Sequence, residues 1–560
     1  MASTSNGRLS KADEAATNDV EVHDALLKNL DADKLLAQMG AGCSLRQIVY
    51  LSLINLCWVL FAFQTLVFAF IGDVPSHKCV ESSYNGTSIP LSDHDNMTSI
   101  KECHLDRLDA EPQKCGENAT RYIYGHQFGY TMAMEWDLVC DRLHLTQLPS
   151  SVYQIGACIA MVAVTQLSDA FGRKLVFTVG FWMGAVCGIA AALSPNIYVF
   201  SGIRFVTGVF SVTLSCVSWV YSTEMVSPQW RGVMPLYMNV IWNIGYCGVG
   251  VLAMYITNWR TLYMIMSVPF LITVVYHWIM PESLHWLIAK NSVNGVYGWL
   301  RMIERGQGGV DLLAAQRVVP DIDHVPKHLT HKRTLIDAFK SPVLLFYLVV
   351  FSFLAITASI VYWGLSLFST QLSRDRFTGF FLSGLIEIPA GIIGPILLFW
   401  FGRRTISVCS YALSGLALFA LIFVPHKDHP SGDDWTTARV TLSLIGKNVC
   451  YGVIMCVGKI GSITAPYSGI LATFNPALPP AIFGIMSSLA ALFCLTLPET
   501  FNRELPEDIS DVDPGPFLPL FSSELRKRRH KLLLQNTLDK DAVVTLPREP
   551  EHVENTLLRT

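Results

Sequence analysis

The chain has 560 residues, of which 51% are hydrophobic and only 15% are charged, and its mean hydropathy is +0.39. A soluble protein of this length needs more polar surface, so the composition excludes an ordinary soluble domain and indicates an integral membrane protein. The formal net charge of −3 gives no indication of nucleic acid as a partner. Residues 1–45 are polar and carry no cleavable signal, which predicts a cytoplasmic N-terminal segment.

Six apolar runs, each of about 20 residues as a bilayer requires of a helix, occupy the first half of the chain. The first extends from about Arg46 to Gly72, and the others lie near 149–169, 175–194, 197–221, 233–256 and 261–280. Between the second and third runs lies Gln166–Lys174 (QLSDAFGRK), whose charges cannot lie in hydrocarbon and whose length allows only a tight hairpin. We therefore expect a six-helix N-terminal half over 46–280.

The polar loop between the first two runs, residues 73–148, has the features of an oxidised extracellular segment. It contains three glycosylation sequons, at Asn85, Asn96 and Asn118. It also contains four of the fourteen cysteines, whereas most of the other ten lie in apolar runs; the four are Cys79, Cys103, Cys115 and Cys140. Together these features predict an extracellular loop with two disulfides, and the three possible pairings remain open.

The second half of the chain begins after a polar segment, 281–342, whose excess of basic residues places it in the cytoplasm. Apolar runs resume near 343–368, 378–401 and 405–424, and the hairpin Phe399–Arg404 (FWFGRR) echoes QLSDAFGRK. The echo indicates that the helical half 343–498 repeats the first half, as in many secondary transporters. The tail, 499–560, is predicted to be cytoplasmic and largely disordered.

A series of short motifs extends from about residue 46 to 511. They are Met134–Cys140 (MEWDLVC), QLSDAFGRK, Tyr221–Met225 (YSTEM) with Arg231-Gly232, Trp259–Leu262 (WRTL), Pro281–Ser283 (PES) with Trp286–Ile288 (WLI), Glu387–Pro389 (EIP) and Leu497–Thr500 (LPET). Because it carries these motifs in this order, the chain resembles the major facilitator superfamily. Within that superfamily, it resembles the solute carrier 22 family of organic cation, organic anion and carnitine transporters. The resemblance implies an all-α membrane protein with two six-helix halves.

Charged residues at the two hairpins and near the end of the fourth helix match positions that the resemblance associates with gating: Asp169, Arg173, Lys174, Glu224, Arg231, Arg403 and Arg404. They would form a charge lock that breaks as the halves rock, or they would simply mark the membrane edge. The chain departs from the family pattern at Thr165 (usually glycine), Ala170 (usually a cation) and Leu284-His285 (usually proline and arginine). These departures put the strength of the gate in question, and not the fold.

Two ionisable residues lie inside predicted spans, where a charge is costly and usually functional. Glu387 either faces the substrate cavity or makes a helix–helix hydrogen bond, and Arg204 is either structural or involved in proton coupling. Aromatic residues could form a box for organic ions or could face lipid and packing partners. The aromatic candidates for substrate binding are Trp219, Tyr221, Trp242, Tyr246 and Tyr362, and Trp363 follows Tyr362 in the sequence.

Lys459, in the segment GKIGSITAPY, bears most directly on substrate charge. At this position the cation transporters that the chain resembles carry an acidic residue, and the anion and carnitine carriers carry arginine. A fixed positive charge attracts carboxylates and repels cations, which favours organic anions or zwitterions such as carnitine over simple cations. The alternative is that Lys459 snorkels to the membrane interface.

The region 436–498 has room for only two convincing spans, about 438–457 and 479–497, where two halves of six require three. Gly446-Lys447 is followed within a dozen residues by Gly458-Lys459, which already resembles the family's eleventh helix. A loop resembling E-x-Y-P-T-x-x-R is therefore missing, and the chain has about 11–12 transmembrane helices. We interpret it as a splice or gene-model variant in which transport is weakened or lost.

These features predict a multi-pass plasma-membrane transporter of organic ions that works by alternating access and is not an enzyme. Its predicted partners are the lipid bilayer and a small organic ion, and we expect no cofactor or metal. The residues do not identify a coupling ion. The alternatives are a substrate class of organic cations, or a non-transporting receptor, scaffold or inactive variant on the same fold.

The composition of the outer loop generates a direct test. The four loop cysteines are expected to resist alkylation until a reductant is added, because disulfide sulfurs do not react with alkylating agents. Glycosidase treatment is expected to shift the protein band on a gel. Thiol labelling of all four cysteines without reductant would show that the loop is not disulfide-bonded.

Overall fold

The computed structural model describes most of the membrane part of the chain. The described residues are 32–33, 36, 45–81, 104–107, 110–114, 120–125, 129–290, 292, 294–296, 298–299, 341–372, 376–424, 439, 441–443, 459–475, 477–499, 512–520 and 522–531. Among them, eight helices are long and apolar enough to cross a membrane, judged by length and composition. A ninth is counted if the bent pair Cys140–Met161 and Ala163–Phe171 forms one span.

The N-terminal bundle contains six long helical elements, in agreement with the six predicted runs. They are α1 Leu45–Leu66 with a short continuation at Phe68–Ile71, α2 Leu148–Phe171, α3 Arg173–Ala192, α4 Ile197–Glu224, α5 Met234–Tyr255, and α6 Trp259–Ser267, which continues through a 3-10 segment Val268–Val275 to Tyr276–Ile279. Polar caps begin two of them: the side chain of Asn196 accepts from Val199 N, and that of Asn258 accepts from Arg260 N.

The described part of the C-terminal bundle is also helical. Its described helices are α7 Pro342–Leu372, α8a Arg376–Leu385, α8b Glu387–Phe401, α9 Arg403–Ile422, α10a Lys459–Thr464, α10b Ser468–Phe474 and α11 Leu478–Cys494. The predicted span 438–457 and the fusion of two helices fall largely outside the described residues. The chain therefore carries two helical bundles, which the polar segment 281–342 connects.

The outer loop contains strands that the sequence analysis did not predict. Strand β1 (His77–Glu81) pairs antiparallel with β4 (Thr120–Tyr124), and β2 (His104–Arg107) pairs antiparallel with β3 (Ala110–Lys114). Each sheet has two strands. Asn85, Asn96, Asn118, Cys103 and Cys115 lie outside the described residues.

Small residues allow α2 and α4 to pack with their backbones in contact. A Cβ atom added to Gly156 would lie 2.2 Å from the carbonyl oxygen of Phe205, and one added to Gly208 would lie 2.0 Å from that of Tyr153. The two contacts are reciprocal, so each helix presents a glycine to the other helix. Helices in a membrane gain little from the hydrophobic effect, and such close approach supplies van der Waals contact instead.

Within the tail that was predicted to be largely disordered, the structure describes two segments, 512–520 and 522–531. They contain a 3-10 turn Leu518–Leu520 and a helix over 523–531, which we call the tail helix. Val512, Leu518 and Leu525 pack against the core of the C-terminal bundle. The prediction weighted the many charges of the tail and overlooked these apolar anchors.

Candidate functional site

A capped hairpin lies between α2 and α3, at one end of the N-terminal bundle, which we call the Gly172 end. Gly172 has a φ of +98°, and a Cβ there would lie 2.5 Å from a carboxylate oxygen of Glu282. Glu282 Oε1 accepts hydrogen bonds from the backbone N–H groups of Arg173 (2.9 Å), Lys174 (3.0 Å) and Ser283 (3.0 Å). The carboxylate therefore caps the N-terminus of α3, where a negative charge is favoured.

The side chain of Arg173 connects three helices at this end. Its guanidinium donates to Glu224 through Nε (3.1 Å) and Nη2 (3.1 Å), and Nη1 donates to the carbonyl oxygen of Ser168 at 3.1 Å. Nη2 also lies 2.9 Å from Asp169 Oδ1, but the Asp169 side chain is 68% exposed. The bidentate pair with Glu224 is the stronger interaction, because both partners are largely shielded from water.

Arg231 connects the N-terminal bundle to the N-terminal segment. It binds Asp33 of the N-terminal segment, with Nη1 3.1 Å from Asp33 Oδ2, and His285 Nε2 lies 3.0 Å from Asp33 Oδ1. Its Nε donates to the carbonyl oxygen of Thr223 at 3.1 Å. The hydrogen bond from Arg231 lowers the pKa of Asp33. His285, one of the departures from the family pattern, thus helps to attach the N-terminal segment to the bundle.

The C-terminal bundle repeats the capped hairpin. Gly402 has a φ of +78°, and Glu499 accepts from the backbone N–H groups of Arg403 (3.0 Å) and Arg404 (3.1 Å). Arg404 Nη2 donates to the carbonyl oxygen of Leu495 at 2.6 Å. The PES and LPET motifs therefore have the same structural role in the two halves, since each supplies a glutamate that caps the helix after a glycine hairpin.

The opposite end of the N-terminal bundle, which we call the Asp73 end, carries a second ionic cluster. Arg260 donates to Glu135 through Nη2 (2.6 Å) and to the carbonyl oxygens of Ala192 (2.6 Å) and Ser194 (2.7 Å). Trp259 Nε1 donates to Glu135 Oε2 at 2.7 Å. The structure thus joins the MEWDLVC and WRTL motifs, which are far apart in sequence, into one brace outside the membrane core.

An ion pair joins the two bundles at the Asp73 end. Arg376 Nη1, at the start of α8a, lies 3.1 Å from Asp73 Oδ2, just beyond α1. The guanidinium carbon of Arg376 lies 5.0 Å from the ring centre of Phe70 and 5.2 Å from that of Phe377. The side chain of Arg376 is only 8% exposed, so this is a shielded contact between halves. We call it the inter-bundle latch.

Glu387 occupies a buried position at the break between α8a and α8b. It is 2% exposed, and the hydroxyl of Tyr362 donates to its two carboxylate oxygens at 3.0 and 3.2 Å. Pro389 has no N–H to bond the carbonyl of Leu385, which accounts for the break. The interruption is local, because Arg376–Gly394 still forms one candidate membrane span that contains Glu387.

Aromatic side chains from both bundles lie at the interface near Glu387. Trp242 of α5 meets Trp363 of α7 edge-to-face with ring centres 6.3 Å apart, and Tyr362 lies 5.1 Å from Trp363. Tyr246 stacks on Phe380 at 4.5 Å, and its hydroxyl donates to Ser383 at 3.2 Å. Four predicted substrate residues therefore meet at the interface between the bundles: Trp242, Tyr246, Tyr362 and Glu387.

The other predicted substrate residues lie elsewhere or are not described in full. Tyr221 is fully buried near Phe177, and its hydroxyl donates to the carbonyl oxygen of Pro281, so it belongs to the N-terminal core. Trp219 is 39% exposed. Lys459 is the first residue of α10a, and the position of its side chain is outside the described part of the structure.

Arg204 is completely buried within the N-terminal bundle. Its Nη1 donates to the carbonyl oxygen of Gln64 at 2.8 Å and to the hydroxyl of Tyr263 at 2.9 Å, and its guanidinium carbon lies 4.3 Å from the ring centre of Tyr153. These contacts connect α1, α2, α4 and α6. They favour the structural role for Arg204 among the two alternatives that the sequence left open.

The geometry describes a protein class: two similar helical bundles with capped hairpins at one end, a latch between bundles at the other, and a buried acidic–aromatic cluster between them. Residues 124–456 match the family model for the Major Facilitator Superfamily. This match covers more than half of the chain, so the chain belongs to the major facilitator superfamily, whose members are membrane transporters and not enzymes.

Similar proteins support the resemblance to the solute carrier 22 family. The chain is 25% identical to an organic cation transporter-like protein of Drosophila melanogaster, covering 86% of this chain and 92% of that protein. It is also 25% identical to the organic anion transporter 3 of Sus scrofa (83% and 91% coverage) and 26% identical to a solute carrier family 22 member 15-like protein of Xenopus laevis (86% and 96%). The predicted superfamily is confirmed, and these relatives, at 25–26% identity, agree with the predicted resemblance to the solute carrier 22 family.

The fold is also that of a solved structure. The chain superimposes on the partially occluded inward-open xylose transporter XylE from E. coli with a TM-score of 0.53 and 16% identity. The match covers 82% of this chain and 99% of that one. The predicted major facilitator fold is therefore confirmed.

Sequence reasoning missed the helix-capping glutamates and the inter-bundle latch. Glu282 and Glu499 lie in motifs that were recognised, but their roles depend on a partner hairpin about a hundred residues away. Asp73 and Arg376 had a detectable signal, since each is a charge at the boundary of an apolar run. Nothing in the sequence paired the two.

The capped hairpin of the N-terminal bundle generates a test of stability. Glu282→Ala removes the acceptor of three backbone hydrogen bonds, so we expect a loss of about 2 kcal/mol in stability, the upper range for a lost helix cap. The measurement is the melting temperature of the purified protein in detergent. Glu282→Gln retains one acceptor oxygen and is expected to lose less.

Asp169→Ala serves as the matched control, because its side chain is mostly exposed and its pair with Arg173 contributes little. We expect Glu499→Ala to lower the melting temperature as Glu282→Ala does. Equal melting temperatures for Glu282→Ala and the wild type would contradict the capping role.

The inter-bundle latch generates a test of conformation. Asp73→Asn removes this ion pair from the shielded Arg376, so we expect the Asp73 end to open more often. The measurement is the rate at which a membrane-impermeant thiol reagent, added from the Asp73 side, modifies a cysteine at Ser383. We expect a severalfold increase over the same cysteine variant with Asp73 intact.

The double exchange Asp73→Arg with Arg376→Asp is the control, because it restores an ion pair of reversed polarity. It is expected to return the modification rate toward the original value. An identical rate in all three backgrounds would show that the ion pair does not hold the bundles together.

Proposed function

We propose that the chain is a secondary transporter that moves organic ions across the plasma membrane by alternating access. The Gly172 end lies in the cytoplasm, together with the N-terminal segment, and the Asp73 end faces outside. This orientation agrees with the cationic side chains near the Gly172 end, among them Arg173, Arg231 and Arg404. It also agrees with the three sequons in the loop that adjoins the Asp73 end.

The observation that carries the proposal is the buried Tyr362–Glu387 pair at the interface between the bundles. A carboxylate at membrane depth is costly, and such a group normally serves a substrate or a coupling ion. Trp242, Trp363 and Tyr246 supply flat apolar and π surfaces at the same interface. An organic ion is the ligand that such a mixture of charge and aromatic rings suits.

Within organic ions, we propose anions or zwitterions such as carnitine over simple cations. Lys459 supplies a positive charge that attracts a carboxylate, and Glu387 supplies a negative charge among aromatic rings that suits a quaternary ammonium group. A zwitterion would use both charges, which is why we place it first. A chain that transports organic cations is the alternative, and Glu387 is the residue that favours it.

In this scheme, the charges at the Gly172 end act as the inner gate. Arg173 with Glu224 connects the hairpin to the end of α4, and Arg403 with Arg404 marks the repeated hairpin. Breaking and re-forming these contacts accompanies the rocking of the halves. The inter-bundle latch is the corresponding contact on the outer side, and it opens when the substrate enters from outside.

We also propose that the outer loop is glycosylated at its sequons and braced by two disulfides among Cys79, Cys103, Cys115 and Cys140. Cys140 Sγ lies 3.7 Å from Nε2 of His77, the first residue of β1, and the same strand contains Cys79. That proximity favours the Cys79–Cys140 pairing among the possible ones. The brace would hold the loop over the Asp73 end.

The second candidate function is a membrane protein on the same fold that does not transport. The observation behind it is the short stretch between Gly446-Lys447 and Lys459, which lacks the family-like loop. The experiment that separates the two is uptake of labelled carnitine, urate and tetraethylammonium by cells that display the protein on their surface. Saturable uptake of any of them supports transport, and uptake of none supports the second candidate.

The charge at Lys459 generates a test of selectivity. In the same panel, Lys459→Asp is expected to lower the ratio of carnitine or urate uptake to tetraethylammonium uptake about tenfold, because reversing a nearby charge changes the interaction by an amount on the order of 1–4 kcal/mol. Glu387→Gln is expected to lower carnitine and tetraethylammonium uptake more than urate uptake.

Lys459→Arg keeps the charge and is the matched control, with an uptake profile expected to resemble the wild type. Surface expression of each variant is measured by biotinylation. If Lys459→Asp reaches the surface and retains the original ratio, Lys459 is not part of the substrate site.

A further inference from the structure

The tail helix, 523–531, presents a strongly basic face outward. The exposed residues on this face include Arg526, Lys527, His530 and Lys531. Since positions three and four apart lie on the same side of a helix, these four form one patch. Glu524 is the one acidic residue within the tail helix, so the patch carries a clear excess of positive charge.

The inward face of the tail helix is held against the bundle. Leu525 packs with the C-terminal core, Arg528 Nη2 donates to the carbonyl oxygen of Val512 at 3.1 Å, and Arg529 Nε lies 3.8 Å from Asp513 Oδ1. The partly buried residues Leu525, Arg528 and Arg529 follow the helical repeat, opposite the exposed basic face. The orientation of the helix about its own axis is therefore set by packing.

The segment before the tail helix attaches it to the membrane end of α7. Phe517 stacks on Phe346 with ring centres 5.8 Å apart, and the hydroxyl of Tyr347 donates to the carbonyl oxygen of Asp513 at 2.5 Å. Phe346 and Tyr347 lie within the first two turns of the apolar span that begins at Pro342. These contacts place the tail helix beside the surface of the bilayer, within reach of lipid headgroups.

From these contacts we infer that the outward face of the tail helix is a docking surface for anionic phospholipid headgroups. Arginine and lysine side chains bind phosphate and carboxylate groups, and basic clusters next to a transmembrane helix are attracted to anionic lipids. An acidic protein segment would need the same charges, but the bilayer is the partner that the anchoring at Phe346 and Tyr347 brings close. The inference uses the proposed orientation only to assign the leaflet.

The test uses the full-length protein and three residues of the basic face. Arg526, Lys527 and Lys531 are each changed to glutamine in one variant, and the matched control is Arg526→Lys, Lys527→Arg and Lys531→Arg, which keeps the charge. Each protein is purified from nanodiscs of phosphatidylcholine mixed with phosphatidylserine, and the lipids that remain bound are counted by native mass spectrometry.

We expect the wild type and the charge-conserving control to retain phosphatidylserine in preference to phosphatidylcholine. The glutamine variant is expected to lose this preference about fivefold or more, and high salt is expected to weaken it in the wild type. Equal enrichment in the glutamine variant would overturn the inference.

A second measurement keeps the result interpretable if the lipids exchange too quickly. A fluorophore on Ser523→Cys, beside the basic face, is expected to be quenched by a lipid-attached quencher only when phosphatidylserine is present. Quenching by a soluble reagent alone in both lipid mixtures would overturn the inference and favour an acidic protein partner. Neither measurement needs uptake, so both stay informative if the proposed transport fails.

Discussion

The backbone of a membrane helix must begin at the membrane surface without leaving its first N–H groups unpaired, and this constraint organises the Gly172 end. The hairpin between α2 and α3 has no room for a cap of its own, because Gly172 turns the chain with a positive φ. Glu282, after α6, supplies the acceptor oxygens instead. The first turn of α3 is thereby tied to the last helix of its bundle, and Arg173 is held where it reaches Glu224.

The same solution occurs in both halves. Glu499 follows α11 and caps α9, as Glu282 follows α6 and caps α3. Within each bundle, such caps and close helix contacts connect elements distant in sequence. Between the bundles, the described contacts include an ion pair at Asp73–Arg376, stacked rings at Tyr246–Phe380, and a hydrogen bond from the hydroxyl of Ser151 to the carbonyl oxygen of Ile463. Two bundles that are each held together internally, and that meet through side-chain contacts, fit the alternating access that we propose.

The buried acidic–aromatic cluster depends on contacts within the C-terminal bundle and on contacts between the two bundles. The hydroxyl of Tyr362, which donates to the Glu387 carboxylate, offsets part of the cost of burying that charge. Trp242 and Tyr246 come from the other bundle, so any movement between the halves changes their distances from Glu387. A site formed in this way can offer a charge and aromatic faces together in one arrangement and separate them in another.

The sequence by itself determined the class of protein, the positions of the helices and the family. A run of about 20 apolar residues has few alternatives to a membrane helix, because no other local structure satisfies its backbone in hydrocarbon. The hairpins with adjacent charges, QLSDAFGRK and FWFGRR, indicated the repeat for the same local reason. The sequence also indicated Glu387, since ionisable residues within spans are few, and it included Trp242, Tyr246 and Tyr362 among the aromatic candidates.

Only the tertiary structure decided which of these residues meet. Tyr221 had the same standing in sequence as Tyr246, but it lies in the core of one bundle and bonds to Pro281, whereas Tyr246 faces the other bundle. Arg231 was grouped with Glu224 among the gating charges, but it binds Asp33 from a segment about two hundred residues earlier. The direction in which a helix faces and the partner of a charge depend on packing between distant segments, and periodicity along a uniformly apolar helix carries little information about either.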